Sequence, residues 1–116
     1  MIVEDDAELL EIIGDTLESF GAKTFRAENG FWAFEILLNQ KVDVILSDYR
    51  MPGCDGRALL GTVRRRDSKL PHFLFLTGYS DLTDEEAIRL GANGLIHKPF
   101  EISQLIQALQ SVRAAA

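Results

Sequence analysis

The sequence predicts an α/β domain of the (βα)5 type: a doubly wound, parallel five-stranded sheet with helices on both faces. Three observations carry that prediction. Short apolar runs alternate with amphipathic stretches along the whole chain. The run "VDVIL" at residues 42–46 is almost unbroken, which suits a central strand buried on both faces. Turn and capping residues separate the segments, and no linker or internal repeat divides them.

The first strand covers Met1 to Val3 and ends in Glu4, Asp5 and Asp6. Asp6 can cap a helix in which Leu9, Leu10, Ile13, Leu17 and Phe20 recur at helical spacing until Gly21 stops them. Lys23 to Ala27 forms a second, weaker strand. Asn29-Gly30 opens a second helix with Ala33, Phe34 and Leu37 facing inward. The third strand runs from Val42 to Ser47 with Asp43 at its entrance, and Asp55 then caps a helix whose Leu59, Leu60 and Val63 face the core. Arg64, Arg65 and Arg66 fall where that helix ends, and there they stabilise the negative end of its dipole. Phe73 to Thr77 is the fourth strand. Thr83 to Glu86 is a capping-box pattern that begins a short fourth helix ended by Gly91. Gly94 to His97 is the fifth strand, and residues 103–113 form a last helix with Leu105, Ile106, Leu109 and Val112 on one face.

Composition narrows the function classes. A chain of 116 residues with 47% hydrophobic content is one compact domain with one core, needing no disulfide or structural metal. The single Cys54 gives neither an internal disulfide nor a metal-ligand spacing, as in a reducing compartment. No apolar run approaches the ~20 residues of a membrane span, and no signal-peptide layout opens the chain. A cytoplasmic protein without membrane insertion is expected. The net charge of −6 disfavours direct nucleic-acid binding, which rests on clustered Lys and Arg.

In an open parallel sheet, reaction sites lie outside the carboxyl ends of the strands. Those ends carry Glu4, Asp5 and Asp6, then Asp48, Thr77 and Lys98. Crowded carboxylates repel one another unless a cation joins them. An all-oxygen, water-accessible rim suits Mg²⁺, which takes one or two carboxylates, waters and phosphate oxygens. Lys98 adds a fixed positive charge and Thr77 a hydroxyl donor. The set is able to hold a phosphoryl group attached to, or moving onto, a carboxylate.

At this point the sequence resembles the receiver domain of two-component response regulators. The resemblance covers essentially the whole chain and rests on "IVEDD" at residues 2–6, "ILSDYRMPGCDG" at 45–56, "LFLTG" at 74–78, "GAN" at 91–93 and "HKPF" at 97–100. Five motifs in the family's order are far more specific than any one of them. The resemblance implies a flavodoxin-like sheet of order 2-1-3-4-5 and one receiver domain over residues 1–116, with no effector domain visible. It implies that Asp48 is the phosphoacceptor, that Asp5 ligates Mg²⁺ directly and that Glu4 acts through water. The backbone carbonyl of Arg50 would complete the metal shell. Thr77 would bond a phosphoryl oxygen, Lys98 would pair with its charge, and Lys98-Pro99 matches the family's usual cis bond.

The same resemblance implies a phosphohistidine donor on a sensor histidine kinase or a histidine phosphotransfer protein, and a downstream protein partner that reads the phosphorylated surface. A phosphorylation-dependent dimer belongs to that range of outputs. Arg50 and Tyr79 occupy the family's positions for tuning the acyl phosphate's lifetime, and their bulk predicts slow autodephosphorylation. The chain would catalyse its own phosphorylation and dephosphorylation without being a turnover enzyme.

Several residues depart from the pattern or leave alternatives open. Leu95 stands where the family usually has Tyr or Phe, and a leucine has no hydroxyl tip to swap between solvent and interior. His97 shares a strand face with Leu95 and reads either as a partly exposed surface residue or as a metal or catalytic group, and His72 as a strand-edge residue. Phe31 and Trp32 begin the second helix at positions usually polar, as a docking patch or folded over their neighbours. Gly78 either opens access to the site or relaxes a turn. Two other classes stay open: a Mg²⁺-dependent phosphohydrolase with an aspartyl nucleophile, and a receiver-like module that binds partners unphosphorylated. The haloacid dehalogenase type of hydrolase has a second Asp two residues after the first. Here that position is Arg50.

Overall fold

The computed structural model describes residues 1–51, 53, 55–78 and 81–115, with side chains through Val112. Pro52, Cys54 and Tyr79, which enter the sequence reading, lie outside the described residues. Strands and helices alternate strictly: β1 (Ile2–Val3), α1 (Ala7–Ser19), β2 (Arg26–Ala27), α2 (Gly30–Asn39), β3 (Val44–Asp48), α3 (Gly56–Arg66), β4 (His72–Thr77), α4 (Asp84–Leu90), β5 (Gly94–His97) and α5 (Ile102–Ala115). The strands form one parallel sheet in the order β2-β1-β3-β4-β5, as predicted.

The alternation of strand side chains builds two cores, one on each face of the sheet. Val3, Ile45, Phe73 and Phe75 pack with Ala33 of α2, Leu59, Leu60 and Val63 of α3, and Ala87 of α4. Ile2, Leu46, Leu74, Leu76 and Ile96 point the other way, onto Leu10, Ile13 and Leu17 of α1 and Leu105 and Val112 of α5. The long apolar character of β3 and β4 therefore has a direct cause: both of their faces are covered.

The helix starts follow from short polar side chains. Asp6 accepts from the backbone N–H groups of Glu8 and Leu9, Asn29 from Trp32, and Asp55 from Ala58. Thr83 and Glu86 close the predicted capping box. Gly91 ends α4 at φ 107°, in the left-handed region where a side chain would be strained. The three arginines do fall in the last turn of α3. Arg64 also reaches further, donating to the carbonyls of Gly91 at 2.8 Å and Pro71 at 2.9 Å. Lys98-Pro99 is cis, and so is Leu70-Pro71, which the sequence reading did not single out.

Two local expectations are corrected. β2 is shorter than Lys23–Ala27 because it is an edge strand with β1 alone beside it, although the Phe25 carbonyl still accepts from Ile2. In α2, Ile36 joins Ala33 and Leu37 against the core, while Phe34 is half-buried to one side. Residues 33, 36 and 37 share a helical stripe that residue 34 leaves. His72 stands at the edge of β4 as its first residue, as expected, and both of its ring nitrogens are buried.

Candidate functional site

Each predicted site residue stands at or just beyond the carboxyl end of a strand, and backbone hydrogen bonds carry the ladder into those positions. Glu4 donates its N–H to the Ala27 carbonyl at 3.1 Å, Tyr49 to Leu76 at 2.9 Å and Lys98 to Thr77 at 2.7 Å. The pairing registers Asp48 with Leu76 and Thr77 with His97. Four segments far apart in sequence are thereby fixed side by side.

Lys98 bridges two of the acids. Its Nζ lies 2.5 Å from Glu4 Oε1 and 3.2 Å from Asp48 Oδ1. Glu4 is 1% exposed and Asp48 8%, so this is a partly buried cluster rather than a solvated ion pair. Glu4, Asp5 and Asp48 each direct one carboxylate oxygen to within 4.8 Å of the others, with Asp5 on the solvent side. Asp6 is not among them, because its carboxylate is used in capping α1. Its backbone N–H instead donates to Glu4 Oε2 at 3.3 Å.

Three carboxylates face one ammonium, and the imbalance is felt in Glu4. Burial pushes its pKa from 4.5 up to about 7, against the Lys98 hydrogen bond and with the help of Asp48. Burial also works against the charge on Lys98, but the contacts with Glu4 and Asp48 outweigh it, and its pKa is raised. The hard oxygen donors, their convergence and the unbalanced negative charge fit a Mg²⁺ ion.

Thr77 is buried, and among the described residues its hydroxyl makes only a long 3.4 Å contact to the Gly78 carbonyl. That weak bond leaves the hydroxyl available to a stronger acceptor. Arg50 is in the loop after β3, and its guanidinium lies across the rim, with Nε 2.8 Å from Asp81 Oδ1. Leu95 is half-buried and packs on the core, and His97 is half-buried on the same strand. Phe31 and Trp32 pack edge to face on each other, with ring centroids 5.3 Å apart, and both are exposed.

Two residues escaped the sequence reading. Gly56 enters the sequence reading only as the last residue of a motif, yet a Cβ there would sit 2.2 Å from the Asp48 carbonyl oxygen. The backbone of α3 thus approaches Asp48 as closely as only glycine permits. Asp81 carried no signal at all, since its partner Arg50 is 31 residues away.

The comparisons with known proteins agree with this arrangement. The family model described as the response regulator receiver domain matches residues 1–110. The DNA-binding transcriptional regulator NtrC of Escherichia coli (strain K12) is 34% identical over 110 residues, 94% of this chain but only 23% of the regulator, so the chain spans about a quarter of its length. Sporulation initiation phosphotransferase F of Bacillus subtilis (strain 168) is 29% identical over 95% of this chain and 89% of its own. The solved structure of chemotaxis protein CheY4 from Vibrio cholerae superposes with a TM-score of 0.86 at 30% identity, covering 96% of this chain and 94% of that one. Family match, sheet order and the convergence of strand-end acids with a lysine lead to one assignment: the chain belongs to the response regulator receiver family, as a receiver domain of the two-component kind.

Proposed function

We propose that this receiver takes a phosphoryl group onto Asp48 from the phosphohistidine of a sensor histidine kinase or a phosphotransfer protein. The observation that supports this most directly is the Lys98 ammonium, held within 3.2 Å of Asp48 from 50 residues downstream. In the transfer, the donor P–N bond breaks as the Asp48 O–P bond forms, and the histidine leaves as imidazole. Little covalent help is needed beyond an in-line nucleophile and charge stabilisation.

Asp5 and Asp48, with Glu4 through water and the Arg50 backbone carbonyl, would hold Mg²⁺. When bound, that ion supplies charge neutralisation on the phosphoryl oxygens. Lys98 pairs with the same charge, and the Thr77 hydroxyl donates to one oxygen. The acyl phosphate adds charge at the rim, draws Thr77 inward and biases a surface read by a downstream protein or by a second copy of the chain. Among the described residues no helix is long and apolar enough to cross a membrane. We place the reaction in the cytoplasm, where a kinase's phosphohistidine is met.

The hydrolase reading is weaker on the geometry of residue 50. An arginine cannot serve as a proton donor and acceptor near neutral pH, and Arg50 is tied to Asp81. Incubation with Mg²⁺ and acetyl phosphate, followed by intact mass, tests the proposal. One phosphoryl group per chain is expected on the original and none on Asp48→Asn. Equal uptake by both removes Asp48 as the acceptor, and sustained phosphate release over many turnovers restores the hydrolase.

A further inference from the structure

Arg50 and Asp81 join the two loops that flank the acceptor, one following β3 and Asp48, the other following β4 and Thr77. Their contact at 2.8 Å is well formed, but the Arg50 side chain is 74% exposed and that of Asp81 25%. An exposed ion pair is worth only ~0.2–1 kcal/mol, so it opens readily. The position of Asp81 is itself built. Its N–H donates to the Gly78 carbonyl at 3.3 Å, and a Cβ on Gly78 would lie 3.3 Å from its Oδ2. Gly78, directly after Thr77, thus leaves the space that the Asp81 carboxylate uses to reach across.

We propose that Asp81 is a positioning residue which parks the Arg50 guanidinium away from Asp48, and that the pair exchanges partners when a phosphoryl anion arrives. A dianionic donor or acyl phosphate offers the guanidinium two acceptor oxygens in bidentate geometry, a stronger partner than a single carboxylate oxygen. The resting pair then sets a threshold: small anions compete with Asp81 for Arg50 before they engage the acceptor. Release of Asp81 coincides with the inward draw of Thr77. This inference rests on the assignment of Asp48 as acceptor.

The test is phosphorylation by phosphoramidate with Mg²⁺, followed by intact mass, in the original, Asp81→Asn, Arg50→Ala and the double variant. In Asp81→Asn the half-saturating phosphoramidate concentration is expected to fall about 1.4- to 5-fold, the range that ~0.2–1 kcal/mol sets, with the maximal rate unchanged. Arg50→Ala raises it, the double variant matches Arg50→Ala, and Asp81→Glu restores the original value. If Asp81→Asn lowers half-saturation equally in the Arg50→Ala background, the effect is plain removal of negative charge and the parking role is wrong. Equal half-saturation in all variants also overturns it. No labelling of the original protein would instead sink the acceptor assignment itself.

Discussion

Glu4 offers the sharpest test of how the site is charged without metal. Its carboxyl is buried, lies against Lys98 and has a pKa raised from 4.5 to about 7 by burial first and Asp48 second. A raised pKa means that the folded protein holds a proton that the unfolded chain has already lost. This group's contribution is therefore fully present below about pH 4.5 and is lost as pH rises to about 7, at about 3 kcal/mol in all. The Met1 amine works in the opposite direction. Burial lowers its pKa from 8 to about 6, against the nearby Asp43, so its contribution grows between those values. The total stability curve mixes both. The difference between the original and Glu4→Gln isolates Glu4, because glutamine imitates the protonated acid and the amine is common to both. Urea unfolding in EDTA from pH 5 to 8.5 is the assay. The two proteins should be of similar stability at pH 5, and the variant more stable by about 3 kcal/mol above pH 7.5. Parallel curves across that range would refute the reasoning, and so would an original protein that gains on the variant as pH rises.

The remaining predictions concern the metal, the helix cap and the close approach at Gly56. Because Mg²⁺ requires ionised carboxylates, its binding at pH 6.5 should release protons from Glu4. Calorimetry in two buffers of different ionisation enthalpy reads this directly, and buffer-independent heats would contradict it. Asp6→Ala should cost about 1 kcal/mol as a lost α1 cap and leave Mg²⁺ affinity nearly unchanged, whereas Asp5→Ala should leave stability nearly unchanged and abolish tight Mg²⁺ binding. Titration and urea melts on both variants separate the two roles. Gly56→Ala puts a methyl where the Asp48 carbonyl oxygen lies, and should cost about 1–3 kcal/mol and slow phosphorylation by acetyl phosphate. An unchanged melt would show that the backbone can yield there.

The five strands and five helices were legible because each leaves a local pattern: apolar runs for strands under two covered faces, and short polar caps at Asp6, Asn29, Asp55 and Thr83. What failed was set by neighbours rather than by local pattern. β2 is short because it lies on the sheet's edge, and Phe34 leaves the inward stripe because the phase of α2 depends on where its first turn begins. At the site, Glu4, Asp48, Thr77 and Lys98 could be placed at one rim from strand-end logic alone. The Arg50–Asp81 bridge could not, since it joins two loops whose mutual approach no periodicity encodes. Gly56 was visible as part of a motif, but its closeness to Asp48 is a distance between a helix start and a strand end.

The placement of Lys98 between two carboxylates gives the proposed phosphorylation a low electrostatic cost. At rest the ammonium is closer to Glu4, at 2.5 Å, than to Asp48, at 3.2 Å. Conversion of Asp48 to an acyl phosphate raises the charge on that side from −1 toward about −2, so the balance of attraction on Lys98 tilts away from Glu4. A buried carboxylate deserted by its cation would ordinarily oppose such a move by several kcal/mol. Glu4 need not remain a carboxylate. With a pKa of about 7 while Lys98 is still beside it, it is already close to taking a proton near neutrality, and loss of the ammonium raises that pKa further. The site thus absorbs the new negative charge by shifting one cation and, where metal does not compensate, accepting one proton. The coupling predicts that Glu4→Gln shifts the balance toward Lys98 on Asp48 before any phosphoryl group arrives. That variant's phosphorylation by acetyl phosphate should therefore depend less on pH between 6 and 8 than the original's, and equal pH profiles would disprove the link.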